Sequence, residues 1–156
     1  MKKNIYGFDT FEGFPVIHDN DGNNDMIKVG GHGLTSNYFE FLSNIMDYHE
    51  NNAPINHMKK YELVKGDATI TVEKYLFNNP ETIIAFAYFD FDIYLPTRDV
   101  LVAIKNKLSK GAIIAFDELN YPKFPGETIA FNEVFGINNY QIFRSPMSST
   151  VSYIVY

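Results

Sequence analysis

Neither cysteine nor tryptophan occurs among the 156 residues. The first absence excludes disulfides and cysteine-ligated zinc or iron–sulfur centres. A basic run is missing too, and the formal charge is −6, from 13 Lys and Arg against 19 Asp and Glu. That balance argues against nucleic acid as the main partner, because binding to a phosphate backbone is driven by clustered cations. Apolar runs are short, well under the roughly 20 residues that span a bilayer. The opening MKKNIYGFDTF passes into a strand-like pattern with no signal-peptide apolar region. The expectation is a cytoplasmic protein with no membrane partner. Tryptophan's absence contrasts with 11 Tyr and 14 Phe, which either line a site or simply fill the core.

What is present is ordinary globular composition, 46% hydrophobic and 21% charged, enough for a single domain over residues 1–156 with a real core. Two acidic pairs dominate it. Asp90 and Asp92 stand in FAYFDFDIYLPT, and Asp117 with Glu118 in GAIIAFDELNYP. Each pair directly follows an apolar run, Thr82 to Tyr88 and Ala112 to Phe116, of the kind buried on both faces of a parallel sheet. Ligands of open α/β sheets bind beyond the carboxyl ends of such strands. Acids gathered at that edge repel unless a cation lies between them, and Mg²⁺ prefers such oxygen ligands while keeping room for water and a substrate oxygen.

Apolar runs alternate with helical patterns along the chain, the mark of βαβ units. Strands are expected over Asn4 to Phe8, Tyr61 to Lys65, Thr82 to Phe89 and Ala112 to Phe116. Ser36 is placed to cap a helix with Phe39, Leu42, Ile45 and Met46 on its apolar side. Thr69 is placed to cap a second, with Val72, Tyr75 and Leu76 facing in. A third opens at Pro96 and Thr97, carries the stripe Val100, Leu101, Ile104 and Leu108, and closes at Gly111; its Lys105, Lys107 and Lys110 suit the C-terminal dipole. A fourth runs from about Gly126 to Phe135 and ends at Gly136. The last runs, Tyr140 to Arg144 and Thr150 to Tyr156, are joined by a short link and read as an antiparallel hairpin. Residues 10–35 are polar and rich in Gly and Asn, too long for an ordinary connection, and read as a lid loop. GGHG at Gly30 to Gly33 belongs to that flexibility rather than to a phosphate loop, since it does not lie in a strand-to-helix turn. PGET at Pro125 to Thr128 is equally a substrate-side loop or a plain helix start.

The ordered strings YGFDTFEGFP, LVKGDA, FDFDIYLPT and GAIIAFDELNYPKFPGETIAFNEVF resemble the macrocin O-methyltransferase family over nearly the whole chain. Members are S-adenosylmethionine-dependent, Mg²⁺-dependent sugar O-methyltransferases. The resemblance implies an α/β, class I methyltransferase-like (Rossmann-like) three-layer sandwich, mostly parallel, with the closing hairpin at the sheet edge. It implies S-adenosylmethionine and Mg²⁺ as cofactors, a sugar hydroxyl as acceptor, and a homodimer as a possible assembly. By motif position, Asp9 would hold the cofactor ribose and Asp67 would lie near the adenine. Asp90, Asp117 and Glu118 would hold the metal, although Glu118 replaces the Asp or Asn usual there. Asp92 and His32 are the candidates for the catalytic base, with His18 a third; His49 and His57 read as structural or solvated. Tyr94 and Thr97 also match, with packing and helix capping as their simplest roles.

Family members carry a further strand and a Gly-rich turn before the YGFDTFEGFP string, so the domain is expected to be N-terminally incomplete. That strand would lie mid-sheet, leaving either the first and third strands of this chain paired directly or an edge that needs another chain. A fragment, a segment supplied in trans, and loss of catalysis are the competing accounts. Two other functions stay open: a non-catalytic binding or assembly module, and, less favoured, a metal-dependent hydrolase.

Overall fold

The computed structural model describes residues 4–156. The strands are β1 (Ile5–Asp9), β2 (Tyr61–Lys65), β3 (Ile84–Phe89), β4 (Leu108–Phe116), β5 (Phe143–Arg144) and β6 (Ser152–Val155). The helices are α1 (Tyr38–Asn51), α2 (Ala68–Asn78), α3 (Tyr94–Ile104) and α4 (Gly126–Phe135). The expected alternation is present, ending in the antiparallel β5–β6 hairpin.

The strands form two separate sheets. β1 pairs with β2 in parallel, and the second sheet has the order β3-β4-β6-β5, with β3–β4 parallel and β4–β6 antiparallel. β1 and β3 do not pair with each other, so the direct pairing of the first and third strands weighed from the sequence does not occur. Each keeps one unpaired edge among the described residues.

Helices cover the two sheets unequally. Tyr6 and Phe8 on β1 meet the Tyr75 ring of α2, with centroids 4.5 and 5.8 Å away. On the opposite face, Tyr61 of β2 donates its hydroxyl to Asp47 of α1 at 2.6 Å. The β1–β2 pair is therefore the middle of three layers. Leu101, Phe116, Phe131 and Ile154, all fully buried, join α3, β4, α4 and β6 into the main core. Each such side chain contributes roughly 1.5–3 kcal/mol of burial free energy.

Among the described residues the other face of the larger sheet is largely open. Phe86, Ile113 and Val155 stand side by side in register and are 60%, 38% and 47% exposed. The apolar runs of β3 and β4 are thus not covered on both faces as their composition suggests. Burial is concentrated on the face turned to α3 and α4.

Four local expectations are corrected. Helix α3 opens at Tyr94, not Pro96, with Pro96 inside the first turn, where its missing N–H costs nothing. It ends at Ile104; Lys105–Lys107 make a 3-10 turn and Leu108 starts β4 opposite Ile84. Gly111 is within that strand rather than at a helix end. Its φ of 84° disfavours any other residue, and its N–H donates to Tyr156 O at 2.7 Å. Asp67, not Thr69, caps α2, taking both the Thr69 N–H and hydroxyl. Ser36 does not cap α1: Asn37 is at the N-cap in left-handed conformation without a side-chain bond.

Candidate functional site

The carboxyl ends of β1, β2 and β3 open on one cavity of about 200 Å³. Asp9, Asp67, Asp90, Asp92 and His32 all line it, with Phe14 and Pro15 of the 10–35 segment forming a wall. Its size is below the roughly 300–1,000 Å³ of most small-molecule sites. A nucleoside-sized ligand therefore needs the open side or a shift of that wall.

The wall is tied down. Phe14 exchanges backbone bonds with Gly31 and Gly30 at 2.9 Å each, and it packs with Ile93 and Phe124 in a second apolar cluster. Asp21, 1% exposed, accepts the N–H groups of His18 and Tyr94. His32 has a left-handed φ of 54°, and its ring rests against Phe14 and Phe124, at 5.1 and 5.6 Å. His18 does structural work instead: its Nδ1 accepts from Asn20 N at 3.1 Å, and its ring lies 4.8 Å from that of Tyr94.

Asp9 and Asp67 each spend one oxygen on their own turn, Asp9 on Phe11 N and Asp67 on Thr69. Among the described residues the second oxygen of each has no partner, so it is free to accept from a ligand hydroxyl or amino group. Asp92 is held at φ 61°, in a three-residue turn closed by Ile93 N–H to Phe91 O at 2.7 Å. Turns of that hand are rare and strained, and such strain collects at functional sites.

Three of the acids at the strand ends, Asp90, Asp92 and Glu118, are raised by burial and by neighbouring carboxylates. Burial, then the Asp117 and Asp9 charges, pushes Asp90 above the usual carboxylate range. Burial, followed by Asp90, pushes Asp92 up to about 6, with His32 opposing. Glu118 is raised by burial and then by Asp92, and its Oε2 is buried with no hydrogen-bond partner among the described residues. An unpaired buried carboxylate oxygen facing three like charges suits a hard cation, and in donor chemistry the set fits Mg²⁺.

The ligands are not assembled, however. Among the described residues no three His, Asp or Glu side chains stand close enough to share an ion. Asp90 lines the cavity, but Asp117 and Glu118 do not. Asp117 Oδ1 instead accepts from the Tyr88 hydroxyl at 2.8 Å, which holds it out of the cavity. Closing the set requires that carboxylate to turn.

Two buried acids escape a reading of the sequence. Asp21 precedes Gly22 and looks like a turn residue. Glu127, fully buried in the first turn of α4, looks like a dipole-favoured residue within PGET. Burial pushes its carboxyl up to about 8, opposed by N–H bonds from Glu118 and Phe91.

The raised groups set a pH dependence. Asp92 and Glu127 hold their protons in the folded chain up to about 6 and about 8, whereas the unfolded chain releases them near ordinary carboxylate values. Their stabilising contribution is complete below about pH 4 and is lost as pH rises through the folded values. The melting temperature of the cation-free protein is expected to fall by several degrees between about pH 4 and 8, and saturating Mg²⁺ to flatten the fall. A flat or rising profile without cation would show that the acids do not strain the fold.

Compared with solved structures, the chain matches a crystal structure of CalS11, described as a calicheamicin methyltransferase, at 41% identity and a TM-score of 0.93. The match covers 98% of this chain and 60% of that one. The fold is that of a class I methyltransferase. A second structure, apo CalS11, described as a TDP-rhamnose 3'-O-methyltransferase of calicheamicin biosynthesis, matches at 37% identity and a TM-score of 0.78, covering 98% of this chain and 59% of that one. The O-methyltransferase NovP matches at 18% identity and a TM-score of 0.66, covering 99% of this chain and 60% of that one, and shows the shared fold alone. No protein-family model matches the chain, and no curated protein does. The chain thus spans about three-fifths of the length of these methyltransferases. Within their fold, its acid-lined cavity lies at the carboxyl edge of the parallel strands. No helix of the described residues is long and apolar enough to cross a membrane.

Proposed function

We propose that the chain serves S-adenosylmethionine-dependent O-methyl transfer to a sugar hydroxyl, assisted by Mg²⁺, within the macrocin O-methyltransferase family. The observation that carries this is the convergence of Asp9, Asp67, Asp90, Asp92 and His32 on one cavity. That cavity belongs to a chain 41% identical to a calicheamicin methyltransferase. The TDP-rhamnose acceptor named for its other structure favours a sugar, free or nucleotide-linked.

In this reading the free oxygens of Asp9 and Asp67 would accept from the cofactor's ribose and adenine. Asp90, Asp117 and Glu118 would hold the metal, Asp117 once free of Tyr88. Bound Mg²⁺ would supply Lewis-acid stabilisation of the charge that develops on the acceptor oxygen. Asp92, near 6 and thus ionised at neutral pH with a matched pKa, would take the acceptor hydroxyl's proton, while bound S-adenosylmethionine would supply the methyl group. His32, placed beside it, favours the ionised form. Residues 10–35 act as the cover that must shift to admit the donor.

A second reading, a non-catalytic binding or assembly module, is favoured by the unpaired edges of β1 and β3 and the open sheet face. Those surfaces also suit a second copy of the chain. Calorimetric titration with S-adenosylmethionine, with and without Mg²⁺, separates the two: micromolar cofactor binding is expected of the first reading. Absence of heat under every metal condition would sink the first for this chain alone.

A further inference from the structure

We propose that Glu127 is a positioning residue for the metal site, one buried acid side chain that clamps the acidic turn after β3 to the acidic turn after β4. The proposal rests on the reading above that a divalent cation binds those turns. The β3–β4 ladder runs out just where the acids begin. Its last pair is Phe89 with Phe116, followed by one further bond from Asp117 N to Phe89 O at 3.0 Å. Beyond that point the two chains part, and backbone pairing no longer sets the distance between Asp90 and Glu118.

Glu127 takes over there. Its Oε1 accepts the N–H of Phe91, between Asp90 and Asp92, at 3.3 Å. Its Oε2 accepts the N–H of Glu118 at 3.0 Å. Both oxygens of one side chain, fully buried and fixed on the first turn of α4, thus bridge the two ligand-bearing turns. Keeping an acid out of water beside Asp90 and Asp92 is costly, and an apolar side chain would avoid that cost. Each of the two Glu127 oxygens meets one amide, whereas a carboxamide has a single acceptor oxygen, and its NH₂ would face the other N–H donor. An aspartate is one methylene too short to reach both. Glu127 need not touch the cation to set how far apart its ligands stand.

The experiment titrates Mn²⁺ into the full chain, following free Mn²⁺ by electron paramagnetic resonance, for the wild type and for Glu127→Gln, Glu127→Asp and Glu133→Gln. Circular dichroism and melting are recorded alongside. Residues that orient ligands typically cost 10–100-fold in metal affinity when changed. Glu127→Gln is expected to weaken Mn²⁺ binding by roughly that factor while remaining folded. Glu133→Gln, on the same helix and bonded to Tyr94, is expected to leave affinity unchanged. Should Glu127→Gln fail to fold, Glu127→Asp carries the same expectation. A folded variant at Glu127 that melts lower yet binds Mn²⁺ like the wild type would overturn the proposal, leaving Glu127 a purely structural acid. Wild type that binds no Mn²⁺ would instead remove the metal reading on which it stands, a result that the variants cannot mimic.

Discussion

Exchanging Asp90 for asparagine is expected to abolish divalent-cation binding while raising the melting temperature of the cation-free protein. The two effects have one cause. Asp90 is held above its ordinary range by burial and by Asp117 and Asp9, so its ionised form is disfavoured in the folded chain relative to the unfolded one. Asparagine keeps the shape and removes the charge. It also relieves Asp92, whose own rise owes more to Asp90 than to any other charge. Because Asp90 lies at the accessible cavity edge, solvent screening limits the gain to about 1–2 °C. The loss on the binding side is far larger. Removing a ligand costs more than the roughly 10–100-fold of an orienting residue, and Mn²⁺ affinity should fall beyond measurement at millimolar metal. Calorimetry and a melting curve on the same sample test both halves. Asp90→Asn that still binds Mn²⁺ would place the ion elsewhere, and one that melts lower than wild type would show that Asp90 is stabilised by its neighbours.

The alternating apolar runs sufficed to locate the elements, because βαβ periodicity is a local property. They failed where pairing between distant segments decides. Leu108 fits both the helical stripe that begins at Val100 and the alternation of β4. It becomes strand because Ile84 lies opposite it, which no local window contains. Asp67 and Thr69 are both good caps two residues apart, and the structure uses them together, the threonine hydroxyl donating to the aspartate. The open face of β3 is illegible for a related reason. An apolar strand reads the same whether or not a helix lies over Phe86.

At the site, the rule that ligands gather at strand ends placed the chemistry-bearing acids in the right region, since it depends only on strand direction. Side-chain orientation is another matter. Asp117 is turned away by Tyr88, a partner contributed by the neighbouring strand, so its sequence position beside Glu118 says nothing of where its oxygens lie. Asp21 and Glu127 were missed because a lone acid before Gly22 or in a helix's first turn has an ordinary local explanation. Their burial, and the backbone amides they satisfy, exist only once three or more segments have met.

Asp21→Ala is expected to cost about 2–4 kcal/mol, a large share of the 5–15 kcal/mol of an ordinary domain, and to lower the melting temperature by roughly 5–15 °C. One oxygen of Asp21 accepts His18 N at 2.7 Å, and the other accepts Tyr94 N, the first amide of α3. Helix N-termini leave such amides without internal partners and favour negative charge. A β-carbon at Gly126 would lie 2.7 Å from Asp21 Oδ1 and 2.5 Å from Tyr94 N, so α4 comes this close only because that residue is glycine. Asp21 therefore fastens the 10–35 segment to the start of α3, directly against α4. Alanine leaves two buried donors unpaired, although relief from burying a carboxylate offsets part of that loss. Asparagine, with one acceptor oxygen, should fall between. Because the anchor holds the cavity wall, limited proteolysis within residues 10–35 should accelerate in step with the loss of stability. Wild-type resistance in a destabilised Asp21→Ala protein would show that the apolar cluster of Phe14, Ile93 and Phe124 alone keeps the cover in place. Faster cleavage at ambient temperature, well below melting, would identify Asp21 as the catch whose release widens the cavity for a nucleoside-sized donor.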